Sequence, residues 1–107
     1  MSDKITRGTA NVFADLGYAD AGERQTKTRL ALEINGLIKA RRLKQAEAGE
    51  ILGVPQPKIS ALANYRLDGF SVERLMAFLT ALNQDVEIII RPRRDRQAGR
   101  VLVSAVR

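Results

Sequence analysis

The sequence predicts a mainly α-helical fold, a bundle of four or five helices closed by one or two C-terminal β-strands. Three observations predict it. Between Glu23 and Leu82 the apolar residues recur at helical spacing. Glycine, proline and an Asp-Gly pair cut that stretch into short pieces. After Asn83 the apolar period falls from about 3.6 residues to about 2, the change from helix to strand.

Residues 1–10 (MSDKITRGTA) are polar and small and read as an arm, whereas 11–18 (NVFADLGY) is more apolar. The second stretch suits one helical turn docked on the core through Phe13 and Leu16, so 1–22 is an N-terminal arm or short helix. A long helix follows over about Glu23–Arg42, with Leu30, Ile34, Leu37 and Ile38 on one face. Arg41, Arg42 and Lys44 gather where it ends. Cations there complement the helix dipole, a role that competes with phosphate contact.

A second helix spans Gln45–Leu52, with Ala46, Ile51 and Leu52 as its apolar positions. Gly53 ends it, because glycine enters the left-handed conformation at little cost. Val54 packs at the corner and Pro55 blocks continuation. The third helix runs over Gln56–Asn64, with Pro57 in its first turn, where a missing N–H is harmless, and with Ile59 and Leu62 facing inward. Asp68-Gly69 marks a turn. Ser71 is placed to cap a fourth helix, Val72–Leu82, whose stripe is Val72, Leu75, Met76, Leu79 and Leu82.

Asp85–Arg91 (DVEIIIR) alternates, with Val86, Ile88 and Ile90 on one face of a strand. Pro92–Gly99 reads as an exposed loop, and Val101–Val106 as a second strand returning antiparallel. One or two apolar strands on a helical domain leave an exposed edge, which invites another chain. Residues 85–107 therefore read as a dimerisation segment. The competing reading is a hairpin folded back on the fourth helix.

The composition bounds the function. With 107 residues the chain is one domain, 45% of it hydrophobic, with no cysteine, histidine or tryptophan. Disulfides, imidazole or thiolate metal sites, Ser-His-Asp triads and cysteine nucleophiles are all excluded. The carboxylates accompany no nucleophile, phosphate loop or metal pattern. The expectation is a binding protein rather than an enzyme, with no catalytic residue, cofactor or metal. No apolar run reaches the roughly 18 residues a membrane span needs, and residues 1–20 lack a signal-peptide core, which points to the cytoplasm and to no membrane partner.

Net charge is +6, unevenly spread. Residues 1–38 are neutral, 39–66 carry +4, 67–90 carry −3, and 91–107 carry +5. The +4 block coincides with KQAEAGEILGVPQPKISALANYR at 44–66, two short helices joined by a tight turn. Ala48 and Gly49 lie where these helices approach closely. Such a helix-turn-helix holds its second helix at a fixed angle, so that its N-terminal residues enter a DNA major groove. The outward positions Gln56, Lys58, Ser60, Ala61 and Asn64 are polar or small, as that requires. Glutamine can bond adenine N6 and N7 together, lysine can bond guanine O6 or N7, and an alanine methyl can meet thymine's methyl.

The stretch QAEAGEILGVPQPKIS resembles the XRE/Cro-type helix-turn-helix family. NVFADLGYADA at 11–21 and GFSVERLMAFLTALNQDVEIIIRPR at 69–93, in that order around the motif, are similar to the HigA-like antitoxins of bacterial toxin–antitoxin modules. The resemblance covers about 11–93 and makes 23–84 the XRE-type domain. It implies that Gln45 contacts phosphate and that Gln56, Pro57 and Lys58 open the recognition helix, with Gln56 and Lys58 reaching base edges. Ser60 and Ala61 follow on the same helix, and Asn64, Tyr65 and Arg66 lie beside the phosphate backbone.

The resemblance has two departures from the family pattern. Gly49 stands where alanine is favoured, and Asn64-Tyr65 where glycine or a small residue commonly ends the helix. The resemblance further implies a homodimeric repressor of its own operon, bound to double-stranded DNA at a two-fold operator and to a RelE/HigB-like toxin. The alternatives are a stand-alone phage-like regulator without a toxin, and a protein-interaction module that no longer binds DNA.

Overall fold

The computed structural model describes residues 18–106, with side chains from Gly22 onward. The expected arm at 1–10, and the turn anchored by Phe13 and Leu16, lie outside the described residues. Four helices follow: α1 (Tyr18–Ala40), α2 (Gln45–Leu52), α3 (Gln56–Ala63) and α4 (Val72–Ala81). The predicted bounds of α2 are reproduced, and those of α3 and α4 differ only at the terminal residue. Helix α1 starts earlier than expected, through Tyr18-Ala19-Asp20-Ala21. Its two alanines are the strongest helix formers and outweigh Gly22.

Helix α1 packs chiefly along α4, and α2 against α3. The core is Leu30, Ala31 and Ile34 of α1, Ala48 and Leu52 of α2, Val54 of the turn, and Ile59 and Leu62 of α3. Leu67 and Phe70 add the following loop, and Leu75, Phe78, Leu79 and Leu82 complete it. The faces are partly as expected. Leu37, Ile38, Val72 and Met76 are only half-buried and pack at the margin. Phe78 belongs to the core and meets Phe70 edge-on, ring centroids 5.8 Å apart. On α2 the expected apolar positions Ala46 and Ile51 face outward, and the inward face is Ala48, Gly49 and Leu52.

All four helices stop in the same way. Each places one residue in the left-handed region just past its end: Arg42 (φ 54°), Gly53 (φ 71°), Tyr65 (φ 58°) and Asn83 (φ 66°). The next N–H then reaches back to a carbonyl of the last turn. Leu43 donates to Ile38 (3.1 Å), Val54 to Gly49 (3.0 Å), Arg66 to Ala61 (2.9 Å) and Gln84 to Leu79 (3.0 Å). This Schellman closure satisfies carbonyls that a helix end otherwise leaves unpaired. Starts are also capped. The Ser71 hydroxyl accepts from the Arg74 N–H at 3.0 Å, as predicted, and Glu47 accepts from the Lys44 N–H at 2.7 Å.

The expected strands at 85–91 and 101–106 are not formed among the described residues. Among the described residues there is no strand, and no backbone–backbone hydrogen bond involves 85–106. Alternation prepares a strand, but a ladder needs a neighbour, and the loop between the two segments does not supply one. Arg93 instead folds it onto itself. Its guanidinium pairs with Asp95 (2.6 and 3.0 Å) and donates to the Ala98 carbonyl (3.0 Å) and the Gln97 side chain (3.3 Å). The Arg93 hydrogen bond, followed by the Gln97 N–H, holds the Asp95 carboxyl below its ordinary range. Beyond this loop Val103 packs against the core margin, and residues 103–105 run beside Arg29, Leu32 and Glu33 of α1.

Candidate nucleic-acid interface

The geometry of α2 and α3 depends on a close approach at Gly49. A Cβ there would lie 2.8 Å from the Val54 carbonyl oxygen and 3.6 Å from Ile59 Cγ1. Only a residue without a side chain lets the turn backbone pass so near α2 while the Val54 N–H bonds the Gly49 carbonyl. Ile59 and Leu62, both essentially buried, then seat α3 on the core. A third tie comes from α1: the half-buried Asn35 donates from Nδ2 to the Leu62 carbonyl at 3.0 Å. That bond orients the C-terminal turn of α3 relative to the longest helix.

The outward side of α3 carries the predicted residues. Gln56, Pro57 and Lys58 are exposed in its first turn, with Asn64, Tyr65 and Arg66 exposed at its end. Ser60 and Ala61 are half-buried, and the Ala61 methyl leans on the core margin. Gln45, exposed at the start of α2, is brought to Gln56 by the turn: Gln56 Nε2 donates to Gln45 Oε1 at 3.3 Å. Pro57, at the second helical position, contributes no free N–H and stiffens the entry to α3.

Other members are committed within the protein. The Lys58 ammonium donates to the Gly69 carbonyl at 3.2 Å and lies 4.9 Å from the centroid of the Phe70 ring, a cation–π contact. Asn64 Nδ2 donates to the Ser60 carbonyl at 2.8 Å and ties off the end of α3. Tyr65, of the Asn64-Tyr65 pair that ends α3, occupies the left-handed position just past the helix.

The +4 block is not one surface. Arg41 reaches across to donate to the Leu82 carbonyl at the end of α4, where Gln84 Nε2 also donates. Lys58 is drawn to the Gly69 carbonyl and the Phe70 ring, while the Arg66 guanidinium stands exposed beside α3 with no side-chain partner among the described residues. Reading the sequence missed Asn35 and Arg41 as positioning residues. For Asn35 one signal was present: a poor helix former in mid-helix, directly after the core residue Ile34. For Arg41 there was none, because its partner lies 41 residues away.

Among the described residues no helix is long and apolar enough to cross a membrane. The family model described as a helix-turn-helix domain matches residues 12–91. No curated protein matches. Among solved structures, one described as an XRE-family transcriptional regulator is 59% identical, with a TM-score of 0.78. The match covers 81% of this chain and 99% of that one. With its α2–turn–α3 geometry and these two matches, the chain belongs to the XRE-type helix-turn-helix family of DNA-binding transcriptional regulators.

Proposed function

We propose that this chain is a sequence-specific repressor that reads a two-fold operator as a homodimer, with α3 in the major groove. The observation that carries this reading is the Gln45–Gln56 bridge at the exposed entry to α3. One N–H of the Gln56 amide is used by Gln45. The second N–H and the carbonyl oxygen remain, and these are the donor and acceptor that adenine N7 and N6 require. The bridge orients the amide before DNA arrives, so less side-chain freedom is lost on binding.

Gln45, at the head of α2, takes a phosphate, as do Asn64, Tyr65 and Arg66 beyond α3. These contacts set register, while Gln56, Ser60 and Ala61 read bases. Lys58 joins them by leaving Gly69 and Phe70 for a base edge or phosphate. One α3 covers only a few base pairs, so a dimer built through 85–107, aided by α4, supplies the rest of the specificity. In the cell the protein is the antitoxin of a type II module, repressing its own operon and holding a RelE/HigB-like toxin. That part rests on the likeness of 11–21 and 69–93 to HigA-like antitoxins.

The test is selection of bound DNA from a random pool, with affinity for the selected site measured against salt. A two-fold consensus and a steep salt slope are expected. Binding with no preferred sequence and a shallow slope would leave a protein-interaction module. The antitoxin role is tested by co-expression with the adjacent reading frame: a small basic protein that arrests growth alone and co-purifies with this chain supports it. If no such neighbour exists, the protein is a stand-alone regulator.

A further inference from the structure

The described surface carries one conspicuous unsatisfied segment. Val86, Ile88, Ile89 and Ile90 are exposed, Ile88 by 72% and Ile90 by 92%. Among the described residues, no backbone–backbone hydrogen bond involves any residue from 85 to 91, and Asp85, Glu87 and Arg91 have no partner. A run of β-branched residues with a bare backbone is a template for strand pairing. The neighbouring loop is closed on Arg93 and Val103 is seated beside the core, so the return segment does not cover it.

We propose that residues 85–91 pair with the same residues of a second copy as an antiparallel ribbon whose two-fold axis passes through Ile88. This rests on the homodimer reading above and adds its register. In this register Val86 faces Ile90 of the second copy, Ile88 faces Ile88, and Ile90 faces Val86, so one side of the ribbon is wholly apolar. Directly opposite residues share a face of the sheet, and their pairing is the unit of sheet stability. At both ends Asp85 meets Arg91 of the second copy, which partners two otherwise unpaired charges.

The neighbouring registers fail on identifiable residues. A slip by one residue sets Val86 against Arg91 or Val86 against Ile89, mixing the apolar and polar faces. Centring on Glu87 places that carboxylate against its own copy and Ile90 against Gln84. Centring on Ile89 sets Val86 against Pro92, which has no N–H for a ladder, and Asp85 against Arg93, already held by Asp95. Charge and polarity together select Ile88.

The chain contains no cysteine, so single thiols report the register directly. Ile88→Cys places two thiols across the axis, at the roughly 4.5–5.5 Å Cα separation of facing residues, inside the range a disulfide spans. Ile90→Cys leaves its thiols about 14 Å apart along the ribbon. Full-length variants are oxidised mildly and run without reductant, while sedimentation equilibrium gives the mass of the parent. A dimeric parent, near-complete cross-linking at Ile88→Cys and at least tenfold less at Ile90→Cys is the expected result. An equimolar mixture of Val86→Cys and Ile90→Cys should cross-link as a heterodimer. A dimeric parent with equal cross-linking at 88 and 90, or with none at 88, overturns the register and leaves the homodimer standing. A parent that sediments as a monomer at all concentrations overturns both.

Discussion

Replacing Gly49 with alanine sets two calculable effects against each other. Alanine is the better helix former by about 0.8–1 kcal/mol, so on propensity alone Gly49→Ala stabilises α2. The structure opposes this. The new methyl carbon would lie 2.8 Å from the Val54 carbonyl oxygen, closer than real Cβ contacts come. That oxygen is backbone. Its residue is held by the Val54 N–H bond to the Gly49 carbonyl at 3.0 Å, so it cannot swing aside as a side-chain tip would. The α2–α3 turn must open by several tenths of an ångström, against packing of the buried Ile59. Overpacking of this kind costs about 1–3 kcal/mol. The net expectation is a loss of about 1 kcal/mol, which lowers Tm by about 4–8 °C in a domain of this size. Thermal melts followed by circular dichroism measure it. Operator affinity, taken well below the melt, should fall as well, because α3 is carried by the same turn. An alanine variant that melts above the parent would refute the reasoning, since the turn would then have room for the methyl.

The remaining predictions concern the interface and the C-terminal loop. Gln56→Ala should cost about 1–3 kcal/mol at the selected operator and relax discrimination at one base pair; a cycle with Gln45→Ala should be non-additive if the bridge orients Gln56, and strict additivity would remove that role. Lys58→Met keeps an apolar stem on Phe70 but removes the charge, so operator binding should weaken while Tm holds within a few degrees; unchanged affinity would assign Lys58 to the 69–70 loop alone. Arg66→Ala should weaken binding alike for all sequences and reduce the salt slope by about one, read from affinity against log salt. Asp95 has a carboxyl pKa depressed by Arg93, so the loop contact is present above the ordinary carboxylate range and is lost as pH falls through the lowered value. The carboxyl resonance of Asp95 should titrate below that of free aspartate, and an ordinary midpoint would show that the pair does not persist in solution.

Much of this fold is local chemistry and legible as such. The Ser71 cap, the Gly53 stop and the inward pair Ile59 and Leu62 each depend on residues within one or two turns, where propensity and spacing act. The surface of α3 was legible for the same reason. Once Ile59 and Leu62 face the core, helical geometry alone turns Gln56 and Lys58 outward. The +4 block was legible as a count and misleading as a surface.

What the sequence by itself determined is the set of helices, their order, and which residues stand at the entry to α3. Tertiary structure decided the rest, because the groups concerned meet only after folding. Arg42 and Tyr65 accept a left-handed backbone that their side chains do not favour, since stopping there closes a Schellman hydrogen-bond pair and, after α1, sets Leu43 against the core; Asn83 takes the same position, which asparagine tolerates. Asn35 finds the Leu62 carbonyl across 27 residues, and Arg41 finds Leu82 across 41. Those bonds decide how α3 is held and which cations remain for DNA. The strand-like alternation at 85–91 marks the opposite limit. The segment supplies the side chains of a strand there, but its hydrogen bonds require a second strand, and the described residues provide none.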